Sequence, residues 1–145
     1  MKEHIPTFFD NHIRSMKDLN EQFDTIEEII NLLKKVQTNG NTIFTIGNGG
    51  SGSTASHFVS DLLKTAITKD EKRFAAISLV DNIPVNLAWS NDQSFESIFV
   101  EQLKNFLKSD DLLFVFSGSG NSKNVINAIE YAKQNNAMCV GLVDK

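Results

Sequence analysis

Residues 111–122 read DLLFVFSGSGNS, an apolar run that passes directly into serine, glycine and asparagine. A strand that is apolar along almost its whole length is typical of a parallel sheet covered on both faces. Residues 117–122 are then the loop at the carboxyl end of that strand, and a helix is predicted over residues 123–134. This strand–loop–helix unit favours an α/β fold with a parallel sheet.

The same plan occurs once more, earlier in the chain. A β-branched run, Thr42–Ile46, leads into residues 47–53, which read GNGGSGS, and then into a predicted helix at residues 54–64. Glycine lets the main chain approach an anion closely, and a helix N-terminus offers unpaired N–H groups and a partial positive charge. Serine hydroxyls add further donors. Because open α/β sheets bind ligands at the carboxyl edge, the two loops together predict an anion site.

The rest of the chain repeats this alternation of strands and helices. The predicted strands cover residues 42–46, 74–79, 111–116 and 138–143, and the predicted helices cover residues 54–64, 83–88, 98–107 and 123–134. A polar turn at residues 90–94 is expected to separate the two middle helices. Alternation of this kind predicts parallel pairing and a doubly wound sheet.

Residues 7–39 are predicted as two helices that precede the sheet, because apolar residues recur there at three- and four-residue spacings. We expect a break near Asp24 and Thr25, one of which would be the N-cap, and a helix end at Asn39 and Gly40. These helices lie outside any strand–helix–strand unit. Their apolar stripe is therefore expected to pack between subunits.

The chain is predicted to form a single domain over residues 1–145, with a helical segment at 1–40 and an α/β core at 41–145. An open parallel sheet normally ends with a covering helix. The pattern stops at Lys145, directly after the fourth strand. We therefore expect this sheet to lack a C-terminal strand or helix.

The composition narrows the class of protein. Fourteen Lys and Arg stand against 18 Asp and Glu, a formal net charge of −4, and no basic cluster favours nucleic acid. No apolar stretch approaches the roughly 20 residues that span a bilayer, and the N-terminus has no apolar signal region, so no membrane partner and a cytoplasmic location are expected. The single cysteine, Cys139, lies in an apolar run and is predicted to be a core residue.

The first glycine loop does not match the common nucleotide-binding patterns. It lacks the Gly-Lys-Ser/Thr ending of a Walker A loop. It reads G-x-G-G-x-G rather than G-x-G-x-x-G, and Asp81 lies well beyond the distance at which a dinucleotide site places its acidic residue. A nucleotide-binding α/β protein is therefore a weak alternative.

At these residues the sequence resembles the SIS (sugar isomerase) domain family, and within it the phosphoheptose isomerase branch. The matching stretches are GNGGSGSTASHF at 47–58, AISLVDN at 76–82, ND at 91–92 and SGSGNSKNVINAI at 117–129. The resemblance implies the SIS fold and an aldose–ketose isomerase in the style of sedoheptulose 7-phosphate isomerase. It also implies a homotetramer with sites between subunits.

The resemblance implies roles for individual residues. Ser117, Ser119 and Ser122 would hold the substrate phosphate, with the main chain of Gly118. The other substrate-contacting positions would be Asn48, Gly49, Gly50 and Ser51 in the first loop, and Asn91 and Asp92 further along the chain.

The chemistry implied by the resemblance centres on one helix. Asp61, four residues after His57, stands where the family has its catalytic Glu, and the i, i+4 spacing puts both side chains on one helix face. Asp92 is expected to orient hydroxyls or help move protons. In the resembling enzymes the pair that corresponds to His57 and Asp61 also binds zinc, together with a Gln and a His from a later helix. Zinc is therefore the candidate cofactor.

Several positions depart from the family pattern. Asp61 is one methylene shorter than Glu, and a base displaced by about 1 Å loses on the order of 100-fold in rate. Gly118 replaces the usual Thr, and Thr65 stands where the branch often has Arg. The later Gln and His have no counterpart up to residue 145. Two hypotheses stay open: an isomerase with Asp61 as base, or a non-catalytic SIS protein that binds a sugar phosphate or a partner protein.

Overall fold

The protein is described by a computed structural model over residues 4–143. Its helices are α1 His4–Asp18, α2 Phe23–Asn39, α3 Gly50–Ser60, α4 Ile83–Asp92, α5 Ile98–Phe106 and α6 Lys123–Gln134. Its strands are β1 Thr42–Ile46, β2 Ala75–Ser78, β3 Leu112–Ser117 and β4 Met138–Val143. Two 3-10 turns, Leu19–Gln22 and Phe95–Ser97, and a π-helical turn, Asp61–Thr65, complete the set.

The four strands form one parallel sheet in the order β2-β1-β3-β4. From β1 the chain moves outward to β2, and then returns to add β3 on the other side of β1. The register places Phe44 of β1 beside Leu113 of β3. This order reverses between β1 and β3, so the predicted doubly wound α/β sheet is confirmed and its switch point lies between these two strands.

Successive side chains along a strand point to opposite faces of the sheet. Because the strands are apolar at successive positions, both faces are apolar, and helices cover each of them. On one face Phe44 and Leu113 belong to a buried cluster with Phe99 of α5 and Val125 of α6. On the other face the Phe58 ring of α3 lies 4.8 Å from the ring of Phe114, centroid to centroid. Strand β3 is buried along its whole length, which agrees with its apolar sequence.

Two predicted boundaries near the site are wrong. Helix α3 begins at Gly50 rather than at residue 54, because the small residues of the glycine segment form its first turn. Helix α4 continues to Asp92, through part of the predicted turn at 90–94. Its N-terminus is stabilised by the Asn82 side chain, which accepts a hydrogen bond from the Val85 N–H at 3.4 Å.

The helical segment before the sheet also differs in detail. The break near Asp24 and Thr25 was wrong: the helix is interrupted earlier, by the 3-10 turn Leu19–Gln22, and α2 already begins at Phe23. Asp24 and Thr25 lie inside the first turn of α2, because the lower helix propensity of Asp and Thr is a weak effect that the surrounding structure overrides. The helix end at Gly40 is confirmed, since its N–H donates to the Val36 carbonyl at 3.0 Å.

The chain divides into two compact units, one up to Lys34 and one from Lys35 onward. In the first unit α1 buries none of its side chains, and its large apolar residues are 54–67% exposed: Ile5, Phe8, Phe9, Ile13 and Met16. The predicted single domain over residues 1–145 stays a prediction. No helix within residues 4–143 is both long and apolar enough to cross a membrane.

Cys139 lies in β4 and packs, partly buried, against the core cluster. Burial raises the pKa of its thiol, and the nearby Lys133 acts in the opposite direction. A partly buried thiol with a raised pKa is a packing residue, as the sequence predicted.

Candidate functional site

A cavity of about 220 Å³ lies at the carboxyl ends of β1 and β3, between the two glycine- and serine-rich loops. Six of the residues singled out in the sequence line it: Asn48, Ser51, Ser117, Gly118, Ser119 and Ser122. The structure therefore brings the two loops together, because β1 and β3 are neighbours at the switch point of the sheet. We call this cavity the cradle.

The second loop along the chain, residues 117–122, holds its serine hydroxyls in defined positions. The Ser117 hydroxyl accepts a hydrogen bond from the Gly120 N–H at 3.1 Å, and the Ser119 hydroxyl accepts one from the Asn121 N–H at 3.3 Å. Gly120 has φ +64°, a conformation that favours glycine. A hydroxyl that accepts a bond still carries its own proton. Both serines can therefore donate to an acceptor in the cradle.

Ser122 completes this set at the start of α6. It occupies the N-cap position, and its carbonyl accepts from the N–H groups of Val125 and Ile126, each at 3.0 Å. Within the described part of the chain its side chain makes no capping hydrogen bond. The helix therefore does not use the hydroxyl, which lines the cradle beside the partial positive charge of the α6 N-terminus.

The first loop lies tightly against the start of α3. A Cβ placed on Gly47 would come within 2.6 Å of the Ser51 carbonyl group, so only glycine allows this close approach. Gly49, the N-cap of α3, and Gly50 are exposed, and no described atom would lie within 4 Å of a Cβ on either. Their main chain is therefore open to a ligand.

The lining of the cradle is electrically neutral. All six lining residues are Asn, Ser or Gly. The neighbouring Lys123 directs its ammonium group to Glu96, at 3.4 Å. The cradle thus offers an anion hydroxyl protons, an amide and the N-termini of two helices, which is a recurrent way to bind phosphate.

His57 and Asp61 form a pair on α3 and the turn that follows it. His57 Nε2 lies 3.3 Å from Asp61 Oδ2, and the side chains are 79% and 51% exposed. The Thr65 hydroxyl donates to the other carboxylate oxygen of Asp61 at 3.1 Å. Neither member of the pair lines the cradle. Ten residues separate Asp61 from Ser51, which is about 15 Å at the helical rise of 1.5 Å per residue.

Asn91 and Asp92 lie in the last turn of α4, and both are exposed. The Asn91 side-chain amide donates to Asp92 Oδ1 at 2.8 Å. Neither residue lines the cradle. The structure therefore brings together the residues that are expected to bind phosphate. The residues that are expected to take part in proton transfer, His57, Asp61 and Asp92, lie outside the cradle.

The predicted zinc site can be compared with the positions of the side chains that could bind the metal. His57 and Asp61 supply two ligand atoms. Among residues 4–143 no group of three or more His, Cys, Asp or Glu side chains is arranged to hold a metal ion. Zinc sites take at least three protein ligands. The described residues therefore do not form a complete zinc site within one chain.

Asn124 is a residue of the site that the sequence reasoning missed. It is 2% exposed, and its side-chain amide pairs with that of Asn48. The available signal was its place on the buried stripe of α6, where it accompanies Val125, Ala128 and Ala132. A polar residue on such a stripe is expected to have a specific partner.

Comparison with known proteins gives the family. Residues 7–144 match the model of the SIS domain, and the chain belongs to the SIS domain family. Its relatives place it in the phosphoheptose isomerase branch. It is 39% identical to a probable phosphoheptose isomerase of Thermoplasma acidophilum over 75% of this chain and 61% of the relative. It is 30% identical to the phosphoheptose isomerase of Helicobacter hepaticus over 98% of this chain and 72% of the relative.

Solved structures agree with this assignment. A phosphoheptose isomerase from Neisseria gonorrhoeae superposes with a TM-score of 0.89 at 26% identity, covering 98% of this chain and 74% of that one. One from Francisella tularensis gives 0.90 at 27% identity, covering 97% and 74%. The chain spans about six-tenths of the length of several of the curated relatives it matches.

Proposed function

We propose that this chain forms the phosphate-binding part of an aldose–ketose isomerase that acts on a phosphorylated sugar of the sedoheptulose 7-phosphate type. The observation that carries the proposal is the cradle, which is lined by Ser117, Ser119 and Ser122 of one loop and by Asn48 and Ser51 of the other. Three hydroxyl donors beside a helix N-terminus suit the oxygens of a phosphate monoester.

The reaction needs a base and an acid. The base removes the proton from the carbon beside the carbonyl, which leaves an enediol, and the proton then returns to the neighbouring carbon. A second group moves a proton between the two oxygens, so that aldose and ketose interconvert without net loss of atoms. We assign the base to Asp61, whose carboxylate is oriented by His57 and Thr65. We assign the orientation of the sugar hydroxyls to Asp92, with Asn91 beside it.

The separation of Asp61 from the cradle supports a site shared between chains. Asp61 does not line the cradle of its own chain, and ten residues, about 15 Å at the helical rise, separate it from Ser51. Asp61 of one chain would then act on a substrate whose phosphate is bound by another. We therefore propose a homo-oligomer, and in particular a tetramer. The uncovered apolar residues of α1 support this, since such a stripe requires a partner.

We further propose a cytoplasmic protein that takes a small phosphorylated sugar, with neither nucleic acid nor membrane as partner. The net charge of −4 and the neutral lining of the cradle support a small anion over a nucleic acid. Zinc bound by His57 and Asp61 stays a prediction.

A second function is favoured by one observation. Asp61 is shorter than the Glu of the family pattern and stands apart from the cradle of its own chain. A non-catalytic SIS protein, which binds a sugar phosphate without turning it over, would carry the same cradle. Turnover by the wild-type protein separates the two functions, because a binding protein gives a dissociation constant and no product.

The shared site can be tested by mixing two impaired chains, one in binding and one in chemistry. Full-length Ser119→Ala and Asp61→Asn variants are produced together, and the mixed oligomers are assayed with sedoheptulose 7-phosphate far below its dissociation constant, where each variant alone has little activity. Random pairing restores about a quarter of wild-type activity if each site takes Ser119 and Asp61 from different chains. No recovery in verified mixed oligomers would contradict a shared site. Binding by the wild-type protein with no turnover would favour the non-catalytic function.

A further inference from the structure

A pair of side-chain amides joins the first loop to the start of α6. Asn48 Nδ2 donates to Asn124 Oδ1 at 3.0 Å, and Asn124 Nδ2 donates back to Asn48 Oδ1 at 2.8 Å. The two residues are 76 positions apart in sequence. Asn48 follows β1, whereas Asn124 is the second residue of α6, directly after the second loop. The pair therefore bridges the switch point of the sheet.

The two amides have different surroundings. Asn124 is 2% exposed and does not line the cradle, so it cannot touch a ligand there. Asn48 lines the cradle, and it also lines a second, mostly apolar cavity bounded by Ile83, Leu87 and Phe95. A carboxamide has two N–H donors and two acceptor positions on its oxygen. After pairing, Asn48 keeps one N–H and one acceptor position for a ligand.

We propose that Asn124 is a positioning residue for sugar-phosphate binding, and this inference rests on the proposed function. The reciprocal bonds fix the position and the plane of the Asn48 amide. They also hold the first loop at a set distance from the start of α6, and thus set the spacing between the two walls of the cradle. Binding groups held in place before the ligand arrives cost less to order when it binds.

A purely structural role for Asn124 makes a different prediction. An unpaired buried amide destabilises the fold wherever it occurs, so loss of stability alone does not identify a positioning residue. The readout that separates the two roles is ligand affinity in folded protein. A matched control exists at the other end of the same helix, where Asn135 Nδ2 donates to the Tyr131 carbonyl at 2.8 Å.

The test compares Asn124→Leu, Asn124→Ser and Asn135→Leu in the full-length protein. Leu has the branched shape of Asn with a larger volume and removes both amide bonds, whereas the smaller Ser is well tolerated in the first turn of a helix. Dissociation constants for sedoheptulose 7-phosphate and for inorganic phosphate are measured by calorimetry, and unfolding is followed separately. We expect both Asn124 variants to bind about tenfold more weakly, the equivalent of about 1.4 kcal/mol. We expect Asn135→Leu to lower the Tm and leave both constants unchanged.

A double-mutant cycle with Asn48→Ala sharpens the result. If Asn124 acts through Asn48, Asn124→Leu weakens binding by less than about twofold once Asn48 is Ala. Wild-type affinity in folded Asn124→Leu, or in Asn124→Ser where the Leu variant does not fold, would overturn the proposal. Full additivity in the cycle would overturn it as well. Failure of the wild-type protein to bind either probe would instead overturn the proposed function, and this inference with it.

Discussion

The cradle and the His57–Asp61 pair are organised in opposite ways. Main-chain and side-chain hydrogen bonds hold the cradle: its lining residue Ser117 is 7% exposed, and Asn124, which pairs with the lining residue Asn48, is 2% exposed. The His57 and Asp61 side chains are mostly in contact with solvent. The cradle lies at the ends of β1 and β3, whereas the pair lies on the helix and the turn that follow β1 alone.

This difference separates binding from chemistry. A phosphate can be held by groups that one sheet edge supplies, because neighbouring parallel strands bring their loops together. A base needs to be within hydrogen-bond reach of the proton it removes, and α3 carries Asp61 away from that edge. Substitutions that change one region at a time therefore show whether the other region responds.

The largest effect is expected from Asp61→Asn, which keeps the size of the side chain and removes the base. We expect kcat to fall by about 10²- to 10⁴-fold, while the dissociation constant for the substrate stays within about twofold of wild type. Initial-rate assays and calorimetry measure the two quantities. The exposed Asp70→Asn is the matched control. Equal losses of binding and rate would contradict the separation of the two regions.

Removal of a cradle hydroxyl should weaken substrate binding and leave the base in place. In Ser119→Ala one donor to the phosphate is lost, and a hydrogen bond to a charged group is worth about 1.5–3 kcal/mol. We therefore expect the affinity for sedoheptulose 7-phosphate to fall by about 10- to 100-fold. Ser109→Ala, in the loop before β3, should bind like wild type. An unchanged dissociation constant for Ser119→Ala would exclude this hydroxyl from the phosphate site.

Gly47→Ala tests the packing beneath the first loop. The added Cβ would lie 2.6 Å from the main chain of Ser51, so the loop must move away from α3. Overpacking of this kind costs about 1–3 kcal/mol of unfolding free energy, measurable by urea denaturation. Gly141→Ala places a Cβ where no described atom lies within 4 Å and should cost little. Equal stability of the two variants would contradict the close approach.

The smallest effect is expected from Gly118→Thr, which restores the residue usual in the family pattern. No described atom lies within 4 Å of a Cβ at Gly118, and its φ lies outside the left-handed region, so Thr fits without strain. One added hydroxyl in the cradle should tighten phosphate binding by about 2- to 10-fold. Calorimetry measures the change, with Gly118→Val as the control of similar shape. Equal affinities of the two variants would show that the hydroxyl does not reach the ligand.

Much of the fold was predictable because its signals were local. The apolar run before Ser117 predicted a strand covered on both faces, and the bounds of α6 and β4 were predicted without error. Six of the predicted residues lie around one cavity, because loops that follow neighbouring parallel strands share an edge.

The remaining features depend on contacts that a single stretch of sequence does not contain. Glycine and serine at residues 50–53 suggested a loop, although the approach of Ser51 to Gly47 makes them the first turn of α3. Asn91 and Asp92 suggested a turn, although α4 continues through both. The contribution of Asn124 to the site depends on its pairing with Asn48, 76 residues away in the sequence.

Phosphate binding in the cradle can be observed residue by residue in an amide NMR titration of the full-length protein with sedoheptulose 7-phosphate and, in parallel, with unphosphorylated sedoheptulose. We expect saturable shifts with the phosphorylated sugar alone, largest at Gly118, Ser119 and the first residues of α3 and α6. Equal responses to both sugars, or shifts confined to the apolar cavity beside α4, would contradict it.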